Sequence, residues 1–214
     1  MCFSATASFA TATVIGALGA AALSQTHDRR EIPLAAMPLF FATQQAAEGG
    51  LWLALGADDG GALAPVFTHV FLIFALIFWP IYAPWSAYAI EIDPMRRRAI
   101  ALCFVLGGAV ALYFVGQLLS YPHGATIAGG HIRYGIGRTP LSVGGFYVVA
   151  TTLPLLLSSF EAVAWLGLII LTGSAVTFLA YEEAFISVWC FFAAAASIVI
   201  ALHFRRLAAV RAAH

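Results

Sequence analysis

The sequence predicts an all-α polytopic membrane protein with seven transmembrane helices, folded as one domain over residues 1–214. Hydrophobic residues make up 62% of the chain and charged residues only 9%, and the mean hydropathy is +0.93. A soluble domain carries about a quarter charged side chains, so most of this chain is expected to face lipid. The formal net charge is zero, and no basic tract is present. The expected partner is therefore the lipid bilayer and not nucleic acid.

Seven apolar stretches are long enough to form spanning helices, each of which requires about 20 residues. They are 5–24, 33–55, 65–90, 99–121, 141–159, 162–181 and 184–204. The third is long and contains Pro80 and Pro84, which predicts a kink or tilt within a single helix. Residues 1–25 are expected to remain as the first helix rather than to be cleaved as a signal peptide, because no basic segment precedes the apolar run.

The placement of arginine predicts the orientation of these helices. In a seven-span arrangement eight arginines lie at one end, namely Arg29, Arg30, Arg96, Arg97, Arg98, Arg205, Arg206 and Arg211. Arg133 and Arg138 lie at the other end. Cytoplasmic connections of membrane proteins are enriched in Arg and Lys. We therefore expect a multi-pass protein of the inner (plasma) membrane, with its N-terminus outside and its C-terminus in the cytoplasm.

Lysine is absent, since every basic residue of the chain is an arginine. Retinal proteins hold their chromophore as a Schiff base, which requires a lysine amine. The absence of lysine therefore excludes retinal as a cofactor.

Potential metal ligands are expected to collect at the outer end of the bundle. They are Glu48, His69, His123, Cys2 and Cys190. Imidazole, carboxylate and thiolate are the groups that bind zinc, iron or copper. No H-x-x-x-H, H-E-x-x-H or C-x-x-C motif supports the set, so it depends on the predicted helix ends alone. The alternative for His69 is an interfacial structural histidine. Cys2 and Cys190 could form a disulfide, a thiolate metal pair or two unrelated thiols.

Glu48 is the most informative of these residues. It lies about 10 Å below the outer end of the second span, on one helix face with Gln44 and Trp52. A carboxyl group at this depth costs about 2.5–3.5 kcal/mol on insertion scales, so it should face the bundle interior and have a partner. The alternative is a neutral acid that is hydrogen-bonded to Gln44, Gln45 or a neighbouring backbone group.

His131 and Glu183 are the candidates for a catalytic proton carrier. His131 lies in the glycine-rich connection 122–140, which is either a solvated loop or a lid over the pocket. Glu183 shares a predicted helix face with Ser187 and Cys190, although it could equally belong to a solvated turn.

These residues together predict a polar, metal-binding pocket on the extracytoplasmic side. If the protein is an enzyme, we expect a metal-activated water to act on a lipid or another amphiphile. A redox variant would hold haem between His69 and His123, or relay electrons through a dithiol. The competing class is non-enzymatic. In it the chain is a transporter, a sensor or an accessory subunit of another membrane protein, and Glu48 is its proton or ligand site.

Five segments carry a resemblance to a known family. They are MCFSATASF (1–9), QQAAEGGLW (44–52), FWPIYAP (78–84), ATTLPLLLSS (150–159) and SVWCFFAA (187–194). Together they resemble a family of uncharacterised bacterial membrane proteins that open with MCFSA-x-ASF. The resemblance spans nearly the whole chain and implies no activity. It includes Cys2, Glu48 and Cys190, but not His131.

A looser similarity, of helix number and orientation only, links the chain to the zinc-dependent membrane hydrolases of the alkaline ceramidase and adiponectin-receptor type. Those proteins hold zinc with three histidines, two of them in an H-x-x-x-H pair on the last helix. This sequence has no such pair. The similarity therefore gives little support to hydrolysis.

Overall fold

The computed structural model describes residues 4–57, 61–137, 139–180, 194 and 196–213. This part of the chain contains the helices α1 (Ala5–Ser24), α2 (Ile32–Leu55), α3 (Ala64–Ile90), α4 (Pro94–Ser120), α5 (Leu141–Leu156), α6 (Glu161–Ala180) and α7 (Ser197–Ala212), and the strands β1 (Gly124–Ala128) and β2 (His131–Gly135).

Helices α1 and α4 begin at residues whose side chains cap them. The Ser4 hydroxyl accepts a hydrogen bond from the Ala7 N–H (3.2 Å) at the start of α1. At the start of α4, the Asp93 carboxylate accepts from the Arg96 N–H (2.8 Å). Such caps satisfy backbone donors that have no partner within the helix. Pro94 occupies the first turn of α4, where a missing N–H has no consequence.

Helix α3 is the central element of the described bundle. It packs against α2, α4 and α5, and β1 also contacts its first half. Half of the residues in the most apolar stretch of α3 are buried inside the bundle, whereas only 22% are buried in the corresponding stretch of α1. Its interface with α4 is a backbone contact, because a Cβ at Gly107 would lie 1.8 Å from the Pro80 carbonyl oxygen. The absence of a side chain at Gly107 therefore allows the backbones of α3 and α4 to touch.

A π-helical turn over Ile73–Phe78 interrupts α3 just before Pro80. The Trp79 N–H bonds to the Phe74 carbonyl, five residues back. In that register the Ala75 carbonyl would accept from residue 80, but proline has no N–H. The Tyr147 hydroxyl of α5 donates to the Ala75 oxygen instead (2.5 Å). The expected irregularity in the third span is thus a widened turn whose freed carbonyl is satisfied by a neighbouring helix.

Four described helices are long and apolar enough to cross a membrane: Ala5–Ser24, Ala64–Ile90, Pro94–Ser120 and Glu161–Phe178. They coincide closely with four of the predicted spans. Helix α5 has 16 residues and ends before the predicted limit of 159. Residues 184–193 of the predicted seventh span lie outside the described residues, and α7 extends beyond 204 to Ala212. The membrane-protein class thus agrees with the structure, and the count of seven spans stays a prediction.

Helix α4 carries an exposed apolar stripe along its length. Leu102, Val105, Leu112 and Leu119 are 69–83% exposed in the isolated chain. Their spacing places them on one helix face, and from Leu102 to Leu119 the stripe is about 25 Å long. That length is close to the hydrocarbon thickness of a bilayer, about 30 Å. The stripe is therefore the surface expected of a helix in contact with lipid.

The connection 122–140, expected to be a loop, contains an antiparallel hairpin instead. Strands β1 and β2 pair from Gly124 opposite Gly135 to Ala128 opposite His131. The two-residue turn is Gly129–Gly130, with φ of 59° and 76°. Glycine adopts positive φ without steric cost, which is what a two-residue hairpin turn of this type requires. The described part of the chain is therefore helical apart from a small β-hairpin. We call the end that carries this hairpin the hairpin end.

The other end, which we call the arginine end, is closed by polar contacts between connections. Arg96 donates to the Leu157 and Ser158 carbonyl oxygens at 3.0 and 3.2 Å. Arg211, near the end of α7, forms an ion pair with Glu31 at the start of α2. The connections α1–α2, α3–α4 and α5–α6 therefore lie together, with the end of α7 beside them. Arg96 and Arg211 thus lie at one end, as expected, and the cytoplasmic location of this end stays a prediction.

Candidate functional site

Two of the predicted metal ligands, His69 and His123, meet at the hairpin end. His69 lies near the start of α3, and His123 lies between the end of α4 and the start of β1. Their Nε2 atoms are 2.8 Å apart, and their ring centroids are separated by 4.4 Å at an interplanar angle of 70°. His69 is exposed and His123 is half-buried. The pair joins residues 54 positions apart in the sequence at a surface that is open to small ions.

The other ring nitrogens define what this pair can do. The Nδ1 atom of His69 lies 2.5 Å from the Pro65 carbonyl oxygen, and that of His123 lies 3.1 Å from the Tyr121 carbonyl oxygen. A carbonyl oxygen only accepts hydrogen bonds, so each Nδ1 must carry the hydrogen. Each neutral ring then has a lone pair on Nε2, and the two lone pairs face each other. Their repulsion is relieved only when a cation, either a proton or a metal ion, lies between them.

The geometry of the pair is close to that of two metal ligands. Zinc–nitrogen bonds of about 2.0–2.1 Å place two tetrahedral ligands about 3.3 Å apart, so a metal would require the rings to separate by about 0.5 Å. The Nδ1-to-carbonyl contact is also the outer-shell arrangement typical of metal-bound histidine. Among the described residues no third His, Cys, Asp or Glu joins the pair. Cys2 and Cys190, the predicted thiol ligands, lie outside the described residues, as does Glu183.

Glu48 lies apart from this pair, in the interior of the bundle. It is fully buried on α2, and the Tyr134 hydroxyl of β2 donates to its Oε1 atom at 3.4 Å. The Tyr134 ring stacks on Phe71 of α3, with centroids 4.5 Å apart and planes 2° apart. Gln44 on the same helix face accepts from the Trp79 indole N–H instead (2.6 Å). Glu48 thus faces the bundle interior, as expected, and meets a hydroxyl from the hairpin that the sequence did not indicate.

Aromatic rings approach the backbone of α2 closely at the two residues that follow Glu48. A Cβ at Gly49 would lie 2.9 Å from the Phe9 ring, and one at Gly50 would lie 2.6 Å from the Phe67 ring. Rings from α1 and α3 therefore cover the two residues that follow Glu48. The absence of side chains at Gly49 and Gly50 allows this close approach.

His131, the other predicted proton carrier, is held at the turn of the hairpin. Its Nδ1 atom lies 3.2 Å from the Gly129 carbonyl oxygen. Its Nε2 atom is buried and has no hydrogen-bond partner within the described part of the chain. The structure thus places His131 on the hairpin that carries Tyr134 and follows His123. It does not bring His131 into a three-ligand group with His69 and His123.

An open depression lies beside His123, formed by the base of the hairpin. Its lining residues are Pro122, His123, Gly124, Ala125, Thr126, Arg133, Tyr134 and Gly135. Arg133 is the one charged side chain among them. A solute could therefore approach the histidine pair from the side of the hairpin.

Sequence reasoning missed a buried carboxylate at the arginine end that accepts four hydrogen bonds. Glu91 is 2% exposed and accepts from the N–H groups of Ile92 and Asp93 (both 2.9 Å). It also accepts from the N–H and the hydroxyl of Ser159, both at 2.7 Å. Burial acts to raise the pKa of Glu91, but these hydrogen bonds outweigh it and lower the pKa below its ordinary value. Glu91 thus fastens the α3–α4 connection to the α5–α6 connection, a pairing across 68 residues that no local pattern indicates.

Comparisons with known proteins give a family and no activity. No curated protein and no solved structure matches the chain. The one informative match is to a family model that covers residues 1–214. The chain therefore belongs to the DUF6629 family, a family of unknown function.

Proposed function

We propose that this protein is a multi-pass inner-membrane protein that binds a transition-metal ion between His69 and His123 on its extracytoplasmic side. The observation that carries the proposal is the anchoring of both Nδ1 atoms on carbonyl oxygens. This anchoring leaves a lone pair on each Nε2 atom, and the two Nε2 atoms face each other at a distance of 2.8 Å. Zinc, iron and copper all accept neutral imidazole nitrogen.

The orientation follows from the two ends of the bundle. In the seven-span arrangement the arginine end is cytoplasmic, because cytoplasmic connections are enriched in arginine. The hairpin end, with the histidine pair, then faces the extracytoplasmic space. A reporter protein fused after His214 is expected to be located in the cytoplasm. If the fused reporter is found outside the cytoplasm, this orientation is refuted.

A metal held by two histidines keeps open coordination positions, and these positions would determine the activity. Catalytic zinc sites commonly have three protein ligands and one water. Cys2 and Cys190 remain the predicted sources of a further ligand, with Glu183 or His131 as proton carrier. With such a ligand, a metal-activated water could act on a lipid or another amphiphile at the membrane surface. Without one, a metal sensor, a carrier or an accessory subunit is the simpler function.

Metal analysis of the purified protein tests the proposal. Detergent-purified protein should retain about one equivalent of zinc, copper or cobalt after equilibration and desalting, since two imidazoles converge on one position. His69→Ala and His123→Ala should each abolish this binding. His27→Ala is the matched control, because His27 lies at the arginine end beside Arg211, and it should bind as the wild type does. Retention of metal by both hairpin-end variants would refute the site.

The 2.8 Å separation also favours a second candidate, in which the pair shares a proton. This distance lies within the ordinary range for a hydrogen bond to nitrogen donors and is shorter than the separation of two tetrahedral ligands. The pair would then join α3 to the segment before the hairpin through an N–H···N hydrogen bond. Nuclear magnetic resonance of ¹⁵N-histidine protein distinguishes the two candidates. A shared proton gives a coupling between the two Nε2 atoms that disappears in His123→Ala, whereas a bound metal gives none.

A further inference from the structure

Two buried polar side chains inside the bundle have no hydrogen-bond partner among the residues that the structure describes. Gln45 on α2 is 1% exposed and Ser8 on α1 is fully buried. Within the described structure, neither the Nε2 nor the Oε1 atom of Gln45 forms a hydrogen bond, and neither does the Ser8 hydroxyl oxygen. The great majority of buried polar side-chain atoms in proteins are hydrogen-bonded, to protein or to ordered water. These atoms therefore indicate a small polar ligand between the helices.

The two side chains lie beside Glu48. Gln45 and Glu48 are three residues apart on α2, a spacing that brings side chains together on one helix face. Helix α1 crosses α2 at this level, because the Phe9 ring contacts the backbone at Gly49. Ser8 precedes Phe9 and is one of the buried residues of α1. An amide and a carboxyl group thus share one face of α2, and the Ser8 hydroxyl lies on the adjacent helix near the level of Gly49.

The hydrogen-bonding capacity of Gln45 decides which ligand fits. Its amide offers two N–H donors and an oxygen with two lone pairs. A metal cation would satisfy the oxygens of Gln45 and Ser8 but would leave the N–H groups unpaired. Water both donates and accepts, and a buried water commonly makes two to four such bonds. Water therefore satisfies the whole amide, and a cation does not.

We propose that Ser8, Gln45 and Glu48 form an internal water site in which the Glu48 carboxyl exchanges its proton. In each exchange the carboxyl proton moves to the water oxygen, and a different proton of that water returns to the carboxylate. The net charge of the site is unchanged. From the hairpin, the titratable group in contact with Glu48 is Tyr134. The water site therefore lies next to the hairpin, which follows His123 in the chain. The proposal does not depend on metal binding by that pair.

Infrared spectroscopy in H₂O and D₂O tests the exchange. The carbonyl stretch of protonated Glu48 is the band that Glu48→Gln removes, and it should shift within minutes of transfer of the wild-type protein to D₂O. Gln45→Leu should slow this shift at least tenfold, and Ser8→Ala should slow it to a smaller extent. Thr43→Val is the matched control, because Thr43 lies on the exposed side of the same helix, and its exchange rate should equal that of the wild type. Absence of the band, or equal rates in Gln45→Leu and the wild type, would overturn the proposal.

Hydroxyl-radical labelling by X-ray radiolysis tests for the water itself, since radicals form from bound water inside a protein. Phe41 is the reporter, because it is 3% exposed and lies one helical turn from Gln45. Its labelling should be measurable in the wild type and at least threefold weaker in Gln45→Leu. Equal labelling in the two proteins would overturn the water site. Metal content measured on the same samples keeps this result separate from that of the histidine pair.

Discussion

Replacement of Gly107 by alanine tests whether the contact between α3 and α4 is as close as the structure places it. A Cβ at this position would lie 1.8 Å from the Pro80 carbonyl oxygen and 2.7 Å from its carbonyl carbon. Both atoms belong to the backbone of a central helix, so no side-chain rotation can remove the overlap. The helices must move apart instead.

The magnitude follows from the distance that is required. An ordinary contact begins at 3.4 Å, so the helices must separate by about 1.5 Å, and overpacking of this kind costs roughly 1–3 kcal/mol or more. Gly108 is the matched control, because nothing lies within 4 Å of a Cβ built there. Gly108→Ala should stabilise the helix by about 0.5–1 kcal/mol, since glycine loses more backbone freedom on folding. The two variants should therefore differ by about 2–4 kcal/mol, with opposite signs relative to the wild type.

Thermal unfolding of the detergent-purified protein measures this difference. For a chain of this size, 1 kcal/mol corresponds to roughly 2–4 °C in Tm, so Gly107→Ala should unfold roughly 4–16 °C below Gly108→Ala. The same preparations should show equal helix content by circular dichroism at low temperature. If Gly107→Ala is as stable as Gly108→Ala, the reasoning from the backbone contact is refuted.

Three further predictions concern single contacts. Tyr147→Phe removes the donor to the Ala75 carbonyl at the π-helical turn; we expect a loss of about 1–3 kcal/mol in unfolding free energy, measured by denaturant titration. The pKa of Glu91 is lower in the folded protein than in the unfolded chain. The ionised carboxylate therefore stabilises the fold fully at pH values above the pKa in the unfolded chain, about 4.3. That contribution is lost as the pH falls through the lower, folded value, so Tm should drop below about pH 4, and less steeply in Glu91→Gln. Gly130→Ala strains the hairpin turn at φ 76° and should destabilise the protein by about 1 kcal/mol, whereas Gly124→Ala, whose Cβ meets nothing, should not.

The spanning helices could be predicted from the sequence because lipid imposes a simple rule. A helix in hydrocarbon must present some 20 apolar residues, and that requirement is local. The first span was predicted at 5–24, and α1 is Ala5–Ser24. The hairpin was predicted as a loop although its signal was present. Gly129 and Gly130 separate two short segments that contain β-branched and aromatic residues, which is typical of a two-residue turn.

The candidate site was predictable only in part, because its contacts join distant residues. The sequence placed Glu48, His69 and His123 at the same end, but it did not indicate which of them touch. In the structure His69 meets His123 across 54 residues, while Glu48 meets Tyr134 across 86. Helix packing and the hairpin bring these groups together, and neither has a local signature.

The sequence by itself indicated that this chain has the composition and the apolar helices of a membrane protein, that eight of its ten arginines fall at one end of the predicted arrangement and that no lysine is present to hold retinal as a Schiff base. These properties depend on composition and on the length of apolar runs, so they are set before any helix packs. Tertiary structure alone decided that two histidines direct their lone pairs at one point, that a tyrosine from the hairpin reaches Glu48 and that Glu91 fastens two connections. Each of these contacts joins segments that become neighbours only when the bundle assembles.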